Sequence, residues 1–220
     1  MKDIYILGSG GFAKEVHFLI NDINSSSKKK PIYNFKGYID KLSATDEVKF
    51  GEKKFPVFRE DIFFCSDQFN KVDLAIGIGT PHILEKLYCK FSERYSFPNL
   101  IHPSFVGHRE AIMMGIGNII TAGCVFSLDI KIGSFNLFNL NTTVGHDTVV
   151  GSYNVVNPGV NISGGVTIGN KNLIGTNAAV LQYLSIGDNS ILGAGAVLSK
   201  NLESNLVAVG VPAKVLKENI

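Results

Sequence analysis

The stretch Val144-Gly145-His146-Asp147-Thr148-Val149-Val150-Gly151-Ser152-Tyr153-Asn154-Val155-Val156 decides how the chain folds. Aliphatic residues stand at 144, 150 and 156, six apart, and a small residue follows each. The same step carried both ways gives Met114, Ile120, Phe126, Ile132, Phe138, Val144, Val150, Val156, Ile162, Ile168, Ile174, Val180, Ile186, Leu192 and Leu198, 15 apolar residues in one unbroken register. The next residue is glycine at 115, 133, 145, 151, 169, 175, 187 and 193, and Thr, Ser or Asn at 121, 127, 139, 157, 163 and 199. Leu181 is the single large exception.

A step of six does not suit an α-helix, because it carries the apolar residue around a 3.6-residue cylinder. Antiparallel hairpins would need turn clusters that reset the alternation. A triangular coil satisfies the pattern: each hexapeptide supplies one short strand and a corner, with the aliphatic residue inside and the small residue where a Cβ would crowd. Three hexapeptides close one coil, so the run predicts close to five stacked coils around one apolar column. The hexapeptide signature identifies this as a left-handed parallel β-helix, an exception to the usual right-handed crossover. The register has no insertion, so a ligand groove is expected from coil surfaces and neighbouring chains. Flat faces and an unprotected last coil lead to the expectation of a homotrimer with threefold symmetry. The β-helix domain is assigned to residues 98–220, with a short C-terminal tail, after an α/β domain over residues 1–97.

In that first domain Asp3 to Leu7 reads as a strand, and Gly8-Ser9-Gly10-Gly11-Phe12-Ala13 turns it into a helix over roughly Phe12 to Asn24. This is the G-x-G-x-x-A turn, which lets backbone approach a pyrophosphate at a helix N-terminus. The same glycines also serve simply to pack helix on strand. A second strand, Phe35 to Ile39, ends at Asp40, placed to meet a ribose or base; a third, Asp73 to Ile78, leads through Gly79-Thr80-Pro81 into a helix from about His82 to Tyr95. The order β-α-β-β-α-β predicts a small Rossmann-like parallel sheet. A full dinucleotide fold needs six strands, and about four precede the β-helix, so a nucleotide sugar suits this sheet better than NAD.

Composition narrows the partners. The 220 residues carry a formal charge of +2, too little for the basic field of a nucleic-acid binder, and Lys28 to Lys30 reads as a solvated loop. No apolar stretch reaches the roughly 18 residues of a membrane span, and a strand begins at once after Met1, so no signal peptide is expected. Cys65, Cys89 and Cys124 are scattered and read as reduced thiols of a cytoplasmic protein.

Of five histidines, His17, His82, His102 and His108 read as structural or solvated. His146 lies two residues beyond an inward aliphatic, where a side chain leaves the prism, and Asp147 follows it. A histidine with an adjacent carboxylate is the composition of a tuned general base; an exposed His beside an exposed Asp is the alternative.

Gly8-Ser9-Gly10-Gly11, Gly145-His146-Asp147, Gly193-Ala194-Gly195-Ala196-Val197 and Val209-Gly210-Val211-Pro212-Ala213-Lys214 occur in one order. Together they resemble the PglD/NeuD-like sugar acetyltransferases, a family of hexapeptide acyltransferases of bacterial surface-glycan synthesis, over essentially the whole chain. The resemblance implies an acetyl-CoA-dependent N-acetyltransferase acting on a nucleotide-linked 4-amino-4,6-dideoxy sugar, with active sites between subunits of a trimer and no metal. It implies His146 as general base and Asp147 as the neighbour that raises its basicity. Gly10, Gly11, Phe12, Asp40 and Lys41 match sugar-nucleotide positions, although some relatives carry His where Phe12 stands. Thr176 and Ala194 match positions lining the CoA groove. Val155 stands where the family often has a His touching the acetyl group, so only its main chain is left for that contact. Three rivals are an O-acetyltransferase of sialic-acid type, a non-catalytic nucleotide-sugar-binding module, and a zinc lyase, which needs three converging imidazoles.

Overall fold

The computed structural model describes residues 1–41, 45–66, 69 and 71–219. The N-terminal domain comprises β1 (Lys2–Leu7), α1 (Gly11–Ser26), β2 (Tyr33–Asp40), β3 (Glu47–Phe50), β4 (Lys53–Arg59), α2 (Glu60–Cys65), β5 (Asp73–Ile76) and α3 (Pro81–Phe91). Its sheet order is β3-β4-β2-β1-β5. All neighbours run parallel except β3, which pairs antiparallel with β4 on the edge. That hairpin escapes a sequence reading because Lys49, Lys53 and Lys54 crowd it, as charges commonly do on an edge strand. The sheet is therefore mixed at one edge, where the sequence predicted only parallel strands. Val16, Leu19, Ile20 and Ile23 bury one face of α1 against it, at helical spacing.

The remainder is a left-handed parallel β-helix. Strands at Ile112–Met114, Ile130–Ile132, Val149–Val150, Thr167–Ile168 and Ser185–Ile186 stack into one face. A second face contains Ile119–Ile120, Leu137–Phe138, Val155–Val156, Leu173–Ile174 and Ile191–Leu192, and a third contains Val125–Phe126, Thr143–Val144, Asn161–Ile162, Ala179–Val180 and Val197–Leu198. From Ile120 to Leu198 every sixth residue is at most 5% exposed, which is the column read from the sequence. The glycines after them are required by stacking: a Cβ on Gly133 would lie 2.6 Å from Gly151 O, in the next coil.

Two features of the prism go beyond the aliphatic repeat. Every sixth residue from Gly117 to Gly195 has a positive φ, between 53° and 75°, so the bend itself sits three residues past the inward aliphatic. A second inward position lies one residue later. On one corner it is Asn118, Asn136, Asn154 and Asn172, all at most 1% exposed. Each Oδ1 accepts the backbone N–H of the residue one coil on, Asn172 passing its bond to Ser190, so one bond repeats down the row, while Asn172 Nδ2 finds no partner among the described residues.

The last coil is not left open. Leu206–Val209 adds to the second face, and Lys214–Glu218 pairs antiparallel with it. The N-terminal domain docks on the same face higher up: Ile119, Phe135, Leu137 and Val155 join the core of the α/β domain. Asp22 of α1 bonds His102 at 3.0 Å, and Lys171 reaches Glu85 of α3 at 3.3 Å.

His17 is 1% exposed. Its Nδ1 lies 2.8 Å from Tyr38 Oη, and Phe35, Phe50 and Phe55 surround the ring. Burial pushes its pKa down from 6.5 to about 4. As pH falls through that window the unfolded chain takes a proton that the folded chain refuses, so stability is full above about pH 6.5 and declines below it. At about 1.4 kcal/mol per unit the loss approaches about 3 kcal/mol by pH 4. Urea midpoints should fall less steeply from pH 7 to pH 4.5 in the double variant His17→Phe/Tyr38→Phe than in wild type; equal slopes would contradict this assignment.

Candidate active site

His146 and Asp147 occupy the corner between the strands Thr143–Val144 and Val149–Val150. Asp147 is the bend residue, with φ 57°, a conformation that Asp tolerates. The bend turns the preceding side chain outward, and that of His146 is 57% exposed. Nδ1 lies 2.8 Å from Asp147 Oδ2. A carboxylate only accepts, so Nδ1 donates, and in the neutral ring Nε2 carries the lone pair.

The ring rests over Gly164, one coil on, where a Cβ would stand 2.6 Å from Nε2. No acceptor for the Gly164 N–H is found among the described residues, so an unspent backbone donor lies beside the imidazole. Sequence reading passed over Gly164. The signal was available, because no other residue two past an inward aliphatic from 116 to 194 is glycine.

The other histidines are used differently. In His102, Nδ1 accepts the Ser104 N–H at 2.9 Å and Nε2–H donates to Asp22, so both nitrogens serve the domain junction. His17 is buried, and His82 and His108 are exposed. Among the described residues no three His, Cys, Asp or Glu side chains gather as a metal would require.

The glycine turn has the form of a phosphate cradle. Gly8 has φ 100°, and a Cβ on Gly77 would lie 2.7 Å from Ala13 Cα, so the third position of the motif packs helix on sheet. Gly10 caps α1 without a side-chain bond, and a Cβ on Gly10 or Gly11 would meet nothing within 4 Å. Free N–H groups at an open helix N-terminus suit an anion. Beside them a cleft of about 300 Å³ opens at the C-terminal ends of β1 and β2, lined by Gly8, Ile39, Asp40, Lys41, Ile78 and Leu87 among others. Ser9 Oγ donates to Asp40 Oδ2 at 2.5 Å. A larger depression of about 620 Å³ surrounds Lys2, Asp73 and Arg94, at the N-terminal strand ends, away from where open α/β sheets bind ligands.

Gly10, Gly11, Asp40 and Lys41 are thus gathered at one end of the sheet. The half-buried Phe12 side chain instead packs against the core between the domains and lines a crevice with Ile78, Ile119 and Leu137. Val155 is a correction. It is 1% exposed in that same interdomain core, and its N–H donates to Asn172 O at 2.8 Å, so neither its side chain nor its amide reaches His146. Thr176 and Ala194 are exposed and stack in consecutive coils at the corner between the second and third faces. The His146 corner lies between the third and first faces, opposite the face that carries the N-terminal domain. Within one chain the imidazole and the glycine turn are therefore on opposite sides of the prism.

An outward imidazole–carboxylate pair on a hexapeptide prism, joined to an α/β domain with an open glycine turn, defines a hexapeptide acyltransferase with an added N-terminal domain. Residues 3–91 match the PglD N-terminal domain family, and residues 165–200 match the bacterial transferase hexapeptide family. In both halves, in this order, the chain is similar to the PglD/NeuD-like sugar acetyltransferases. It is similar to PerB from Caulobacter crescentus, in complex with CoA and GDP-perosamine, at 27% identity over 99% of this chain and 98% of that one, with a TM-score of 0.85. WeeI from Acinetobacter baumannii AYE is 27% identical over 98% and 100%, with a TM-score of 0.83. The acetyltransferase domain of PglB from Neisseria gonorrhoeae FA1090, in complex with acetyl coenzyme A, shares the fold at 24% identity over 98% and 99%, with a TM-score of 0.85. No protein of curated function matches the sequence.

Proposed function

We propose that this protein transfers the acetyl group of acetyl-CoA to the amine of a nucleotide-linked 4-amino-4,6-dideoxy sugar in the bacterial cytoplasm, for a surface glycan. The observation that carries the reading is the His146 ring, oriented through Nδ1 by Asp147 and open at Nε2 over Gly164. Nε2 takes a proton from the sugar amine as nitrogen bonds to the thioester carbonyl carbon. Collapse of the tetrahedral intermediate breaks the C–S bond and releases CoA. The Gly164 N–H is the donor we assign to the oxyanion. Asp147 holds the ring's tautomer and favours the imidazolium that forms.

The acceptor's nucleotide binds at Gly10, Gly11, Asp40 and Lys41, with its diphosphate against the α1 N-terminus. PerB, with its GDP-perosamine and CoA, supports this substrate class at moderate identity. Because the cradle and His146 face opposite sides of one prism, a sugar held by one chain must react at the imidazole of another. A homotrimer of side-by-side prisms brings them together and forms the CoA groove between chains, along Thr176 and Ala194.

The test is a thiol-release assay with acetyl-CoA against UDP-, dTDP- and GDP-linked 4-amino sugars and free sialic acid. Turnover is expected with at least one nucleotide amino sugar. Thiol release with sialic acid alone would replace this reading with an O-acetyltransferase, and none with any acceptor would remove it.

A further inference from the structure

The bend position of the prism is a left-handed one, and Gly, Asn or Asp occupies it at 117, 123, 129, 141, 147, 159, 165, 177, 189 and 195. Four larger residues accept the same strained backbone: Phe135, Tyr153, Lys171 and Tyr183. The first three have visible partners, all on α3. Phe135 and Tyr153 lie 4.5 and 6.4 Å from the Tyr88 ring, centroid to centroid, and Lys171 pairs with Glu85. Each therefore exchanges backbone comfort for a docking contact.

Tyr183 has no such partner. It is 74% exposed, and its side chain meets no hydrogen-bonding or ring partner among the described residues. Its ring leans back over Gly165, where a Cβ would stand 2.3 Å from Cδ1. The imidazole of His146 covers the adjoining Gly164 from the other side, so the two rings flank one Gly-Gly step on the same corner.

We infer that Tyr183 is a binding residue for the pantetheine arm of acetyl-CoA, an inference that rests on the transferase reading above. The direction of approach selects this ligand over the sugar. The residues around the glycine turn, Phe12 and Ile78, meet the prism at Gly117, Ile119 and Leu137, in its first two coils. In parallel prisms these levels are shared between chains, so the sugar nucleotide comes to His146 from the N-terminal side. The thioester then comes from the C-terminal side, and Tyr183 stands two coils that way. A flat aromatic face suits a narrow, mostly apolar arm, and an aromatic contact of this kind is worth about three- to tenfold in affinity.

Tyr183→Gly tests this without endangering the fold, since glycine is at home in the bend. The KM for acetyl-CoA should rise about three- to tenfold, with a matching loss of CoA affinity by calorimetry, while the KM for the amino sugar holds and the melting temperature does not fall. Tyr183→Phe should restore most of the affinity. Unchanged CoA affinity in Tyr183→Gly, a rise confined to the sugar's KM, or a smaller oligomer by light scattering would each overturn the assignment and leave the transferase reading standing. Wild-type protein that binds no CoA would overturn both.

Discussion

His146→Ala is expected to lower kcat by about 10²–10⁴-fold, the usual contribution of a positioned base, while the affinity for the nucleotide sugar stays at its wild-type value. The separation follows from the architecture. The proposed nucleotide cradle, Gly8–Gly11 and Asp40, belongs to the α/β domain, and His146 is assigned to the reacting amine rather than to the nucleotide, so losing the ring removes nothing that holds the nucleotide. Asp147→Asn should cause a smaller loss, because asparagine tolerates the bend's φ of 57° and still accepts from Nδ1, but without charge. Steady-state thiol release and calorimetry on the same preparations check both. A His146→Ala enzyme within about tenfold of wild type would remove the base from the mechanism.

The prism was legible because its constraint repeats. Each coil must place an aliphatic residue inside and leave no Cβ where the next coil presses, and 15 consecutive hexapeptides meet the first demand. The outward position of His146 follows from the same register. The second inward column was harder to see, since one of its three rows is Asn118 to Asn172, and buried asparagine carries no hydropathy signal. It makes sense only once the stacking that feeds each Oδ1 is known. The β3–β4 hairpin was hidden for the related reason that an edge needs no buried face.

Val155 failed for another reason. Its assignment came from the family resemblance, which places such a contact nine residues beyond the base, but a step along this fold sets both a level and a face, and nine residues on from His146 is the face that the N-terminal domain covers. The paired faces also set the glycine turn and His146 apart within one chain. Sequence order places them in successive domains, and only the triangular section shows them turned to opposite sides.

Gly145 and Gly164 allow the catalytic and structural demands of the repeat to be separated by one methyl group each. A Cβ on Gly145 would stand 2.4 Å from Gly164 N and 2.6 Å from Ser163 C. Those are backbone atoms fixed in the coil ladder, so relief requires moving a coil. Gly145→Ala should cost about 1–3 kcal/mol or more, as overpacking does, and lower the melting temperature by about 2–4 °C per kcal/mol. A Cβ on Gly164 meets Nε2, Cε1 and Cδ2 of His146 at 2.6–3.0 Å, the end of a half-exposed side chain that can swing aside. Gly164→Ala should therefore melt with wild type yet lose about a hundredfold in kcat, the effect of misplacing a reacting group by about 1 Å. Full activity in Gly164→Ala would show that the ring works from elsewhere. Early melting of that variant would show that Gly164 serves the coil rather than the base.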